Sequence, residues 1–170
     1  MTREQRIVAA GAGSGVAAML AAMYVLHRLL PEPEGVSDLA GRIAFTLRCA
    51  ALAAVPLFAM FAAVGNARFL GEAIDPTRGA ESRKMQIDGR VADNSFQQFV
   101  LFLAGSLALA TSLPPGWMNL IPAAAIVFVA ARILFWIGYR IDPLYRAFGF
   151  AATAYLNLGL LLAAIWLGID

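Results

Sequence analysis

One cysteine and one histidine in 170 residues set the first limits on this chain. Cys49 alone excludes an intrachain disulfide, a CxxC redox pair and a cysteine zinc cluster. His27 alone excludes an HExxH metal motif, and no Ser–His–Asp constellation or Gly-rich phosphate loop after a strand is present. No metal site is expected. His27 closes a long apolar run and reads as an interfacial residue rather than a catalytic one. Charge is also scarce, at 14% of residues, while 61% are hydrophobic. A soluble domain is about 45–50% apolar, so this composition and a mean hydropathy of +0.72 exclude an ordinary soluble fold. The formal net charge of +2 is too small, and the basic residues too dispersed, for a nucleic-acid partner.

What the chain does have is apolar runs of membrane length, which means roughly 20 residues each. Ile7–Leu26 is the first, longer than a signal-peptide core and lacking a cleavage site before His27-Arg28, so it reads as a retained helix. Gly11 and Gly15 form a GxxxG step within it. Pro31-Glu32-Pro33-Glu34-Gly35 breaks that helix. The second span is expected over Arg42–Ala67, with Arg48 near enough to its end to snorkel and Pro56 as a possible kink point. Arg68–Gly89 reads as a solvated loop turning at Pro76-Thr77-Arg78-Gly79. The third span is expected from Arg90 to Leu113, closed by the Pro114-Pro115-Gly116 hairpin with Trp117 at the interface. The fourth is expected over Trp117–Tyr139 and, beyond Asp142-Pro143, the fifth over Leu144–Leu167. The expected fold is therefore all-α, an integral membrane protein with five transmembrane helices, in contact with membrane lipids.

Five spans put the termini on opposite sides. The side shared by the N-terminus, the 68–90 loop and the 139–146 loop holds Arg3, Arg6, Arg68, Arg78, Arg83, Lys84, Arg90, Arg140 and Arg146. The other side holds Arg28 and Arg42, with Arg48 and Arg132 inside spans. The positive-inside rule then places the N-terminus in the cytoplasm and the C-terminus across the membrane.

On a helix, Arg90, Asn94 and Gln97 fall on one face, where the third span meets the membrane. Topology puts Arg132, Tyr139 and Arg146 at the same end. Guanidinium forks, amides and a phenol gathered there suit a carboxylate or phosphate. From the residues alone, an anion site and simple anchoring to lipid headgroups are equally good readings.

These motifs resemble a known family. Arg90-x-x-x-Asn94-x-x-Gln97 is similar to the RxxxNxxE signature of the MAPEG family, membrane-associated proteins in eicosanoid and glutathione metabolism. Ala131-Arg132-x-x-Phe135-x-x-Gly138-Tyr139 resembles its ARxxYxxGY motif, and Arg146-x-x-Gly149-Phe150 the step that follows. The resemblance covers about 41–170 and divides the chain into an extra N-terminal helix and loop, 1–40, and a four-helix domain, 41–170. It implies a homotrimer, here in a bacterial inner membrane, with glutathione as cofactor in a cytoplasmic cleft between subunits. Arg90, Asn94, Gln97, Arg132, Phe135 and Tyr139 would bind glutathione, Arg68 would match a basic position at the end of the family's first helix, and Arg146 would stabilise the thiolate. The implied activity is a glutathione transferase or peroxidase acting on a lipophilic small molecule. Gln97 stands where the family has glutamate and Phe135 where it has tyrosine, removing a charge and a hydroxyl from that site. The five-helix layout resembles the mattrin branch, which implies the alternative of a non-enzymatic protein that binds a lipid or anion and regulates a partner.

The charge asymmetry makes a direct prediction. In a Cys49→Ser background, the thiol of Ala80→Cys should react with an impermeant reagent only from the cytoplasmic side. Labelling of intact cells from outside would invert the topology.

Overall fold

The first three helices begin at capping side chains, and three of the five end two residues before a proline. Thr2 and Gln5 form a reciprocal capping box, Asp38 accepts from the Gly41 backbone N–H at 2.7 Å, and Ser82 accepts from Met85 N–H at 3.3 Å. Leu30, Leu113 and Asp142 adopt extended backbone because the following proline disfavours the helical region. The computed structural model describes residues 1–169; Asp170, the end of the expected 41–170 segment, lies outside them. The helices are α1 (Arg3–Leu29), α2 (Leu39–Leu70), α3 (Arg83–Ser112), α4 (Leu120–Ile141) and α5 (Arg146–Leu167). Three-residue 3₁₀ turns occupy Pro76–Arg78 and Pro115–Trp117, and among the described residues there is no strand. In the first turn, Thr77 donates from its backbone N–H and its hydroxyl to Asp75, which holds that carboxyl below its ordinary range.

All five helices are long and apolar enough to cross a membrane. Large apolar side chains point outward, Phe58 at 75% and Trp166 at 76% exposure, as a lipid-facing surface requires. The largest departure from expectation is the start of α3, at Arg83 rather than Arg90. Met85, Asp88, Val91, Ser95 and Gln98 are all buried, so the helix-spaced inner stripe reaches back into the stretch read as a solvated loop. α2 runs unbroken through Pro56.

α2–α5 form a four-helix bundle, and α1 packs outside it, mainly on α5 and also on α4. Phe102 and Phe128 meet at the centre with ring centroids 4.7 Å apart, surrounded by buried alanines from four helices. Small residues allow backbones to approach where lipid offers no hydrophobic drive for helix association. The Gly11–Gly15 step seats α1 on the first turn of α5: a Cβ on Gly15 would collide with the Phe148 carbonyl. Gly149 is crowded from two residues at once, with the Phe135 nitrogen 2.5 Å from where a Cβ would sit and the Ala131 carbonyl closer. At the end of the bundle away from the basic loops, Asn119 donates to the carbonyls of His27 and Leu30, and His27 stacks on Trp117 at 5.0 Å. Arg42 donates there to Leu113 O at 2.8 Å and Val36 O at 3.1 Å.

Gly149→Ala should lower the melting temperature in detergent, because both colliding groups are backbone and cannot turn aside; overpacking of this kind costs about 1–3 kcal/mol. Gly13→Ala has open space and should leave stability equal or higher. Equal melting of the two variants would show that α4 and α5 can part freely at Gly149.

Candidate functional site at the basic end of the bundle

Arg132 is the largest fully buried side chain, 1% exposed, and its guanidinium joins three helices. Nη1 donates to Asn94 Oδ1 on α3 at 2.9 Å and, at 3.4 Å, to Ser95 Oγ. Nη2 donates to Thr153 Oγ1 at 2.6 Å and Gly149 O at 3.2 Å, both on α5. The Phe135 ring lies 4.2 Å from the guanidinium carbon. Among the described residues no carboxylate pairs with this cation, and its Nε has no hydrogen-bond partner. A charge held inside a membrane bundle by neutral dipoles is costly, and with no carboxylate against it among the described residues it leaves positive potential in this part of the bundle.

From Arg132 a run of contacts leads outward along α4. Phe135 is buried and meets Tyr139 edge-on with centroids 5.8 Å apart. The Arg146 guanidinium lies 5.2 Å over the Tyr139 ring and donates to Pro143 O at 2.6 Å. Asn94, Arg132, Phe135, Tyr139 and Arg146 are thus brought into one continuous chain. They do not share one depth: Arg132 contacts Asn94 and Thr153, while Arg146 sits beside Tyr139, about 10 Å farther out at the α-helical rise. The guanidinium expected to hold a ligand is closed off inside the chain.

Arg90 and Gln97 remain exposed on the flank of α3, since the buried stripe runs through Val91, Ser95 and Gln98 beside them. Only Asn94, half-buried, reaches inward from that polar trio. Arg68 lies apart, with Nε and Nη2 donating to Glu81 Oε1 at 3.1 and 2.6 Å. Arg146 is exposed and opens onto a cavity of about 420 Å3 between α1 and α5, walled by Val8, Ala12, Phe150, Ala151 and Tyr155. A cation at the mouth of an apolar cleft can hold the anionic end of an amphiphile or stabilise a thiolate beside a lipophilic reactant.

The MAPEG family model matches residues 46–166, nearly all of α2–α5 and the motifs that begin at Arg90, Ala131 and Arg146. The chain belongs to the MAPEG family. Among curated proteins this MAPEG member is similar to Transmembrane protein 79 of Bos taurus, 25% identical over 161 residues, which is 94% of this chain and 40% of that protein. It is also similar to Transmembrane protein 79 of Mus musculus, 26% identical over 145 residues, 85% of this chain and 36% of that protein. The chain thus spans about 40% or less of the length of these relatives. No solved structure matches it.

Two buried polar groupings escaped the sequence reading. Asp88, 2% exposed, accepts from Arg140 Nε and Nη2 at 2.7 Å each and from Trp136 Nε1 at 2.8 Å, tying α3 to α4. Deeper in, Asn157 donates to the Gln98 carbonyl and side-chain oxygen, both at 2.9 Å. Continuing the helical spacing of Val91 and Ser95 backward would have found Asp88. Nothing local signals that Gln98 rather than Gln97 turns inward.

Arg132→Met should destabilise the bundle by on the order of 2–4 kcal/mol, because it strands buried acceptors on α3 and α5. Arg90→Met, on the surface, should stay within about 0.5 kcal/mol of wild type. Comparable losses in denaturation of the two proteins would remove Arg132 as the structural hub.

Proposed function

We propose that this MAPEG protein is a receptor for a membrane-partitioning anionic ligand. Arg146 takes the carboxylate or other anionic group beside Tyr139, and the cleft between α1 and α5 takes the apolar part. The observation that carries this reading is the exposed Arg146 at the mouth of an apolar cavity of about 420 Å3. The burial of Arg132 adds positive potential behind the site without competing for the ligand. This corresponds to the non-enzymatic alternative, and similarity to Transmembrane protein 79 is consistent with it. The basic end would face the cytoplasm, and a family-type trimer would set the cleft beside a neighbouring copy.

A second reading rests on the Arg146–Tyr139 pair. If the ligand is glutathione, the cation favours its thiolate. The sulfur would bond to an electrophilic carbon of a lipophilic substrate, the leaving group would depart with its electron pair, and the thiol proton would pass to water. Gln97 can accept a hydrogen bond from the ligand ammonium but lacks the charge of the family glutamate. Phe135, 2% exposed, is packed away from any ligand in this chain.

The two readings part in one titration of detergent-solubilised protein, with glutathione or a long-chain fatty acid as probe. Wild type should bind the fatty acid, and Arg146→Ala should weaken it by about tenfold, the equivalent of a lost charged hydrogen bond of about 1.5 kcal/mol. Ultraviolet thiolate absorbance on adding glutathione that vanishes in Arg146→Ala, with no fatty-acid binding, would replace the receptor reading with the transferase one. Unchanged fatty-acid affinity in Arg146→Ala would place the site elsewhere.

A further inference from the structure

A second and separate groove runs along α4. Between α2 and α4 it encloses about 640 Å3, walled by Leu52, Val55, Pro56, Ala59, Ile133 and Ile137. A further hollow of about 410 Å3 continues it toward Pro122 and shares Leu52, Val129 and Ile133. From Pro122 to Arg140, α4 rises roughly 27 Å, close to the thickness of a bilayer's hydrocarbon core. At one end only does the character change. There Trp136 and Arg140 close the groove, and Arg140 also lines a cavity of about 560 Å3 with Arg83 and Lys84.

Arg140 is fixed at this junction. Asp88 accepts from its Nε and Nη2, and its guanidinium carbon lies 4.6 Å over the Trp136 ring. Nη1 makes no hydrogen bond among the described residues. Asp88 neutralises one charge, and Arg83 and Lys84, both exposed, leave the basic cavity net positive.

From these features we infer that the α2–α4 groove is a binding site for an anionic phospholipid. An acyl chain lies between α2 and α4, and the phosphate sits among Arg83, Lys84 and Arg140. The walls explain the chain: they offer almost no hydrogen-bonding group, so a peptide backbone laid there would leave its amides unsatisfied, whereas a hydrocarbon loses nothing. The cations explain the phosphate, which adjacent donors at a membrane surface recognise by charge-assisted hydrogen bonds. A second copy of this chain would account for the apolar half alone, and free phosphate for the basic half alone. The site shares no residue with the Arg146 cleft and does not depend on its function.

Native mass spectrometry of the purified full chain with added phosphatidylglycerol or phosphatidylcholine tests this. Wild type should retain phosphatidylglycerol at least about fivefold better. Arg83→Gln with Lys84→Gln should remove the preference, and Val55→Trp, an exposed position on the lip of the groove, should lower retention of both lipids. All variants leave the Asp88–Arg140 pair intact, and unchanged melting temperatures would confirm that they are folded. Equal retention of the two lipids by wild type would overturn the inference. So would displacement of phosphatidylglycerol by inorganic phosphate alone. A Val55→Trp protein that changes its oligomeric state while keeping its lipid would assign the groove to a second copy instead.

Discussion

The fork of Arg132 is the interaction on which the rest of the bundle depends. One planar group reaches Asn94 and Ser95 on α3 and Gly149 and Thr153 on α5 from its place on α4. Lysine offers a point charge on a flexible stem and could not serve two helices at fixed angles. The geometry is possible only because Gly149 lacks a side chain, so that α5 lies against the backbone of Ala131 and Phe135. The arginine and the glycine are two parts of one device: close approach brings the carbonyl of Gly149 and the hydroxyl of Thr153 within reach, and the guanidinium then holds the helices together.

That device also divides the polar residues at the basic end into two populations. Arg132, Asn94 and Phe135 face inward and define helix positions, while Arg90, Gln97 and Arg146 remain at the surface. Asp88 with Arg140 and Trp136 repeats the arrangement nearer the water, this time with a true ion pair. The inward charges need partners because the membrane supplies none, whereas the outward ones can wait for a ligand or a headgroup. Arg146 belongs to the second group and gains its interest from what lies beside it, the cleft that α1 closes.

α1 is the element outside the family match, which begins at residue 46. Its outer surface is mostly exposed, and its purchase on the bundle comes from Gly11 and Gly15 against Ala147 and Phe148, with Asn119 holding its far end. A helix attached at the start of α5 contributes Val8 and Ala12 to the wall of the Arg146 cavity. The extra span thereby alters the surroundings of the residue with the most chemical promise.

Much of this protein was determined by its sequence alone. Five apolar runs and the prolines after Leu30, Leu113 and Asp142 set the helix number and three of the helix ends, because backbone hydrogen bonding in lipid leaves few alternatives. The spacing of Arg90–Gln97, Arg132–Tyr139 and Arg146–Phe150 carried the family. The start of α3 was hidden because the charged residues around Asp88 read as solvated until Arg140 and Trp136 supplied partners from α4. Whether Arg132 turned toward a ligand or into the bundle was likewise beyond local pattern. Its spacing is the same in either case, and only the packing of α5 at Gly149 decides where its donors find acceptors.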